Sequence, residues 1–556
     1  MRRRSWPSAA SPGSTRGRSA AGRPSGGAHD TPSEPEHVRA GTRRATVPGA
    51  AGNPVAYCCV HDSGIPGGRM TSADTRPATH VTAGASSDGG ATAVVVGGGL
   101  AGTTAALALA DAGLRVTLVE GRPRLGGLAF SFRRDSAAGE LSVDNGQHVY
   151  LRCCTAYRDF LERVGGAHLM PIQDRLDVPV LDADPARAAT GMRLGRLRRT
   201  ALPVPLHLAA SLAGYPHLSL AERASVGRAA LALKALDPAD PALDRIDFAS
   251  WLARHGQSPR AVEALWDLVG VATLNARAAD ASAGLAAMVF KTGLLSDPGA
   301  ADIGWSRVPL GEVHDTLARA ALERAGVRVE TRTRASALTR TDERRWQVTV
   351  ENGPHSQEQL AADTVVLALP QREAHGLLPP GALARPDRLL DIGTAPILNV
   401  HVLYDRKVLR RPFFATLGSP LQWVFDRTDA SGLQGGGQYL AVSQSAAQDE
   451  IDLPVGVLRE RYLPELARVL PAARGAKVRD FFVTRERTAT FAPAPGVGRL
   501  RPAARTQSAG LYLAGSWTAT GWPATMESAV RSGTSAAREA LTELGFPQGS
   551  LPQEAA

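Results

Sequence analysis

The chain has 556 residues, 44% of them apolar and 21% charged, with a formal net charge of +10, which is enough chain for two or three domains and enough apolar side chain to fill their cores. The positive charge is uneven: residues 1–88 hold eleven Arg against six acids, so about half of the excess sits in that segment. The remaining body is mildly basic, with 5% aromatics and no base-stacking or zinc pattern, which argues against a nucleic-acid partner, and no apolar run reaches the roughly 18 residues of a membrane-spanning helix.

Residues 1–88 mix Pro, Gly, Ser, Thr, Ala and Arg without periodicity, too little apolar surface to offset the entropy of ordering, so a disordered basic tail is expected. The start Met1-Arg2-Arg3-Arg4 is not followed by an apolar stretch and does not read as an export signal. Met70 opens a shorter run straight into the first strand and is a candidate translation start, which N-terminal sequencing tests. The four cysteines form two adjacent pairs, Cys58-Cys59 and Cys153-Cys154, with no His at ligand spacing. They read as reduced thiols of a cytoplasmic protein, with no metal site.

At Thr92 the pattern changes. Ala93-Val94-Val95-Val96 reads as a buried parallel strand, then comes Gly97-Gly98-Gly99-Leu100-Ala101-Gly102, then an Ala/Leu helix to Ala112 stopped by Gly113. Arg115 to Glu120 is a second strand, completing a β-α-β unit. In this context Gly97 permits the tight turn, Gly99 lets backbone approach a pyrophosphate, and Gly102 lets helix and strand pack closely. The helix start at Leu100 and Ala101 offers free N–H groups to the diphosphate. Glu120 stands where a carboxylate accepts from the adenosine ribose hydroxyls and disfavours a 2'-phosphate.

That fingerprint suits NAD or FAD alike, and the following residues discriminate. Glu120-Gly121-Arg122-Pro123-Arg124-Leu125-Gly126-Gly127 resembles the extension found in the amine oxidase and carotenoid desaturase superfamily of flavoproteins. The resemblance implies that Arg122, Gly126 and Gly127 run along the pyrophosphate and flavin of FAD. Near the C-terminus, Leu511 to Leu513 reads as a last strand, and Gly515-Ser516-Trp517 onward as the opening of a final helix. Its superfamily counterpart would bring Gly515, Ser516, Trp522, Pro523, Ala524 and Met526 to the flavin; Ser516 stands where Asp is usual. All four cysteines precede residue 155, so FAD is expected to be bound non-covalently. No second strand-glycine-helix unit is present for a nicotinamide, so an external electron donor is expected.

Two further strings, Val143-Asp144-Asn145-Gly146-Gln147-His148 and Thr518 to Glu527, resemble the hydroxysqualene dehydroxylases, the squalene-associated FAD-dependent desaturase group of hopanoid synthesis. The resemblance covers residues 92 to 540. It implies an apolar isoprenoid substrate, hydride delivery from reduced flavin to hydroxysqualene, and Gly146 and Gln147 over the flavin. Asp144 and His148 are then candidates for the acid that protonates the leaving oxygen. A carotenoid desaturase running the hydride in reverse, and an amine or protoporphyrinogen oxidase, are the alternative readings.

The expected fold is α/β: a discontinuous Rossmann-like FAD-binding domain (89–152, 300–375, 505–545) with an inserted α+β substrate domain (153–299, helical; 376–504), amine-oxidase-like, and tails at 1–88 and 546–556. Arg193, Arg196, Arg198 and Arg199 precede an apolar stretch from Ala201 to Leu212. This reads either as a peripheral anchor on the inner face of the cell membrane or as a buried helix with a solvated basic flank.

Overall fold

The first strand, β1 (Thr92–Val96), is a run of β-branched residues with Ala93 to Val96 all buried, as a central parallel strand must be. This computed structural model describes residues 90–547 except 188–190, 342–344 and 354–355. The expectations for the 1–88 tail, including Cys58, Cys59 and Met70, lie outside the described residues, as does nearly all of 546–556. Helix α1 (Leu100–Asp111) buries eight of its twelve residues, so it is apolar nearly all round. It ends where Gly113 takes φ +93°, and β2 (Arg115–Glu120) follows.

A hairpin of β3 (Ser131–Ser136) and β4 (Gly139–Asp144) leads to α2 (Thr155–Val164), whose Ala156, Tyr157, Phe160, Leu161 and Val164 form one buried stripe. Next come β5 (Asp177–Asp182), β6 (Arg193–Arg198) and a helical run that includes α3 (Ala209–Ala213), α4 (Leu220–Lys234) and α5 (Ala283–Leu294). After β7 (Arg328–Thr331), an antiparallel meander over residues 334–362 returns the chain to β8 (Thr364–Leu367). Then follow β9 (Thr394–Tyr404), β10 (Phe413–Leu417), β11 (Trp423–Asp426), β12 (Gln438–Ser445), α6 (Val455–Val469) and β13 (Val478–Phe491). The chain closes with β14 (Leu511–Leu513) and α7 (Met526–Glu543).

Two sheets organise these elements. The first has order β14-β8-β1-β2-β7 and is parallel throughout, so every strand ends at the same edge; α1 and α7 pack on it with β1, Ala536 and Ala540 in one core. The second has order β13-β9-β12-β11-β10-β5-β6. Its outer face, with Leu398, Val400 and Val402, packs on Leu458, Tyr462 and Leu466 of α6. On its inner face Phe413, Ala415 and Phe425 share a core with Phe290 of α5.

The stretch over 153–299, expected to be mostly helical, also holds two strands: β5 and β6 lie in it and complete the sheet built by residues 394–491. As an edge strand, β6 mixes Arg with Leu and Gly, the charged composition that guards an open sheet edge. A correction concerns the end of the chain: α7 starts at Met526, not at the turn after β14. Gly515, the Ser/Thr-rich run and Pro523 keep residues 514–525 out of a helix. No helix of the described residues is long and apolar enough to cross a membrane.

Candidate nucleotide and substrate site

Parallel strands gather the functional loops at one edge. β1 ends in Gly97, β2 in Glu120, and β14 leads into Gly515 and Ser516; β14 lies two strands from β1, roughly 10 Å at ordinary strand spacing. Two of the loop glycines are required by the protein itself. Gly97 has φ +108°, and a Cβ on Gly102 would collide with the Gly97 carbonyl oxygen. Gly99 differs, because a Cβ there would make only ordinary contacts with Gly127, its Cα at 3.6 Å and its N at 4.0 Å. No clash within the protein demands glycine there, which fits a turn where backbone and pyrophosphate approach closely.

The remaining features fit a dinucleotide. No side chain caps α1, which leaves its first-turn N–H groups, at Leu100, Ala101 and Gly102, for an anion. The Glu120 carboxylate spans the loop, accepting from the N–H of Gly98 at 2.7 Å and of Arg122 at 2.8 Å. The diglycine Gly126-Gly127, with φ +91° and +56°, packs directly against Gly99. Arg122 keeps its guanidinium exposed, whereas Arg124 donates to the Gly127 carbonyl and lies 3.3 Å from the Phe130 ring centroid. Replacing Gly99 by Ala is expected to leave apoprotein stability unchanged and to weaken FAD binding about tenfold or more, ~1.4 kcal/mol. Titration of apoprotein with FAD, beside its thermal midpoint, checks this; Gly102→Ala should lower both.

The loop Asn145 to His148 faces the second sheet. Asn145 is sewn to the diglycine segment: its side chain accepts from Phe130 N–H and donates to the Leu128 carbonyl. Gly146 lies against Asn399 of β9, whose Nδ2 donates to the Asn145 carbonyl at 3.2 Å. The Asn399 side chain is fully buried, yet its Oδ1 has no protein partner. An orphan buried acceptor is costly, and one aimed at this loop fits a donor from a bound ring. Gln147 lines a narrow polar cavity with Gly146, His401 and Tyr439.

Both candidate acids are hydrogen-bonded within the protein. Asp144 accepts from Ser131 Oγ at 2.6 Å, Leu310 N–H at 2.9 Å and Arg427 Nη2 at 2.7 Å. Arg427, buried with it, also donates to the Ser306 carbonyl. Every bond that Asp144 makes here is accepting, and its pairing with Arg427 braces the start of the loop. His148 donates from Nδ1 to the Gly146 carbonyl at 2.9 Å, and burial lowers its pKa. Nδ1 is thereby engaged, and Nε2 is the ring nitrogen left for other partners.

The residues that sequence reasoning missed come from distant elements. Glu486 of β13 stands near Asn145, and burial raises its pKa against the opposing pull of the Asn145 amide, Arg124 and Arg122. In register, Thr484, Asn399, Ser443, Trp423 and Ala415 form one row across the inner face, and Glu486 stands one step along beside Ile397. From Asn399 to Trp423 is two strands, about 10 Å. There Trp305, Phe413, Trp423 and Phe425 pack as an aromatic cluster with centroids 5.5 to 6.2 Å apart. Ile397, Ser443, Trp423 and Trp305 stay half-buried although three of them lie on inner strands, so this face between the Asn145 loop and the aromatic cluster keeps some accessible surface. Only a buried acid with no nearby basic residue in sequence could have flagged Glu486, and Arg485 and Arg487 hide it.

His314 is a further missed residue. Its Nδ1 donates to the Ala129 carbonyl and its Nε2 accepts from Tyr157 OH, holding the turn that carries Gly126 and Gly127. Burial lowers its pKa to about 4. The unfolded imidazole binds a proton near 6.5, so the stabilisation is complete above that pH and is lost as pH falls towards 4. Urea midpoints are expected to show about 2 kcal/mol less stability at pH 5 than at pH 7 from this group, with His314→Gln flattening the dependence.

At the C-terminal turn, Gly515 N–H donates to Ser532 Oγ, and buried Arg501 gathers the carbonyls of Ser516, Trp517 and Thr518. Arg501 thus shapes the turn where Ser516 replaces the usual Asp. Pro523 is buried and Trp522, Ala524 and Met526 are half-buried along the approach to α7, which meets α1 at the contact of Gly533 with Ala101. Glu527 accepts from the N–H groups of Ala156 and Tyr157, capping α2. Its role is structural. Cys153 and Cys154 are free thiols.

Comparison with known proteins agrees with this geometry. A family model described as flavin containing amine oxidoreductase matches residues 100–541. The hydroxysqualene dehydroxylase of Rhodopseudomonas palustris is 29% identical over 80% of this chain and 96% of its own length. That of Sinorhizobium fredii is 29% identical over 81% and 98%. Both bear out the resemblance read from the strings around Asn145 and Trp522. A triple mutant of putrescine oxidase aligns with a TM-score of 0.62 at 18% identity, covering 81% of this chain and 99% of that one, which supports the amine-oxidase-like α/β fold. With a nucleotide cradle that fits FAD and a family match over most of its length, the chain is an FAD-dependent oxidoreductase and belongs to the flavin containing amine oxidoreductases.

Proposed function

We propose that this chain reduces hydroxysqualene to squalene, within squalene and hopanoid biosynthesis. The alcohol gains a proton and a hydride and leaves as hydrocarbon and water. The observation that carries the reading is the inner face of the seven-stranded sheet, where register sets a half-buried carboxyl near the Asn145 loop on the same face as an uncharged aromatic cluster. That pairing suits ionising the alcohol of a long apolar molecule. The relatives named hydroxysqualene dehydroxylase give independent support.

Reduced FAD, when bound, supplies the hydride. The chain's own residues do the rest. Glu486, its carboxyl kept protonated to higher pH by burial, gives its proton to the leaving oxygen. Trp305, Phe413, Trp423 and Phe425 hold the isoprenoid chain and keep water from intercepting the cation. Asp144 and Arg427 fix the loop between them. An electron donor outside the chain renews the reduced cofactor.

The test is a single anaerobic turnover. Photoreduced enzyme mixed with hydroxysqualene should form squalene in step with return of oxidised flavin absorbance. Flavin that stays reduced, with no squalene formed, overturns the proposal. Oxidised enzyme that instead withdraws hydride from a polyene assigns the chain to the desaturases.

A further inference from the structure

Ten large apolar side chains stand exposed among the described residues, and four of them, Leu202, Leu206, Leu220 and Leu231, fall between residues 202 and 231. The segment from Ala201 to Ala213 turns Leu208 and Leu212 inward against the core and leaves Leu202, Pro203, Pro205, Leu206, Ala209 and Ala210 to solvent. Helix α4 then starts at Leu220. Its inner side buries Val226, Ala229 and Leu233, while Leu220, Ala224 and Leu231 share an exposed stripe at helical spacing, about 17 Å long. A solvent-facing helix normally carries charge of both signs on that side; here only Arg228 and Lys234, both basic, border this stripe.

These elements form one surface. Ser211 of α3 bonds the backbone of Arg196 and Arg198 in β6. Arg223 of α4 donates to the carbonyls of Ala213 and Leu218. The charge around the surface is one-sided: residues 193–235 contain seven basic residues and a single acid, Glu222. That acid is used up by the α4 capping box and Ser258. Arg196 is paired with Asp177 and Arg199 with Asp302. Arg193, Arg198, Arg228 and Lys234 are exposed at the rim.

The geometry points to this face as the seat of an anionic lipid bilayer: the apolar loop and the α4 stripe enter the headgroup boundary, and the four rim cations meet lipid phosphates. The chemistry of the surface selects the partner. Apolar side chains ringed by unpaired cations match a membrane whose interior is hydrocarbon and whose surface is negative. The same face on a second copy would set cations against cations. This surface stands whichever reaction the site performs.

Flotation of the FAD-loaded full chain with phosphatidylglycerol vesicles and with phosphatidylcholine vesicles tests it. Wild type should float with the anionic vesicles, more weakly as salt rises, and far less with the neutral ones. Leu206→Glu combined with Leu220→Glu should reduce anionic binding at least tenfold while flavin absorbance and activity on detergent-dispersed substrate stay unchanged. Arg198→Gln and Arg228→Gln should each weaken it about fivefold. Wild type that does not float, double-Glu protein that floats as well as wild type, or a lipid-free dimer abolished by the same Glu pair would each overturn the inference.

Discussion

Glu486→Gln is expected to lower kcat on hydroxysqualene by roughly 10²- to 10⁴-fold, about 3 to 5 kcal/mol in the barrier, with KM and FAD absorbance nearly unchanged. The amide keeps the shape and its place near Asn145, but it has no acidic proton to give the leaving oxygen. The wild-type pH profile should carry the same signature. Burial raises the Glu486 pKa above the ordinary carboxylate value, so the active protonated form persists further towards neutrality, and kcat falls as pH rises through that value. The Gln variant should lose this limb of the profile. A variant with wild-type kcat would place the acid elsewhere.

Arg427→Ala is expected to destabilise the protein by about 3 to 5 kcal/mol, because it strands the buried Asp144 carboxylate without its counter-charge. The pair is only 6% and 8% exposed, so water offers little relief. The Ser306 carbonyl also loses its donor. Denaturant midpoints of the apoprotein measure the effect. Asp144→Asn with Arg427→Met should recover part of the loss, since removing both charges avoids the stranded one. FAD affinity should fall in the single variant as well, because Asp144 anchors the loop that ends at His148.

Much of the nucleotide half was legible before any coordinates. The run of valines, the spacing of Gly97, Gly99 and Gly102, and the carboxylate at 120 are local features: they lie within thirty residues, and each is dictated by backbone geometry or helix electrostatics. The strands at Arg115 to Glu120 and Leu511 to Leu513 were also visible, because β-branched and apolar runs carry a period-two or fully buried signature. Two stretches violate such signatures. β6 has the composition of a charged edge, and the Gly515 turn ends a strand without starting a helix.

The substrate half was not legible in the same way. Asp144 was a candidate acid through the string it shares with the family; its pairing was hidden because Arg427 reaches it from 283 positions away. Glu486, Asn399 and Trp423 acquire meaning only from the register that sets them on one face of one sheet.

The sequence by itself determined that the chain binds a dinucleotide through a β-α-β unit, and through its motifs that the nucleotide carries a flavin, because those signals depend on contacts between near neighbours in the chain. Tertiary structure alone decided which carboxyl is braced by a guanidinium and which stands half-buried on the inner face of the second sheet. Burial and charge pairing belong to side chains that meet only when strands hundreds of residues apart are laid side by side.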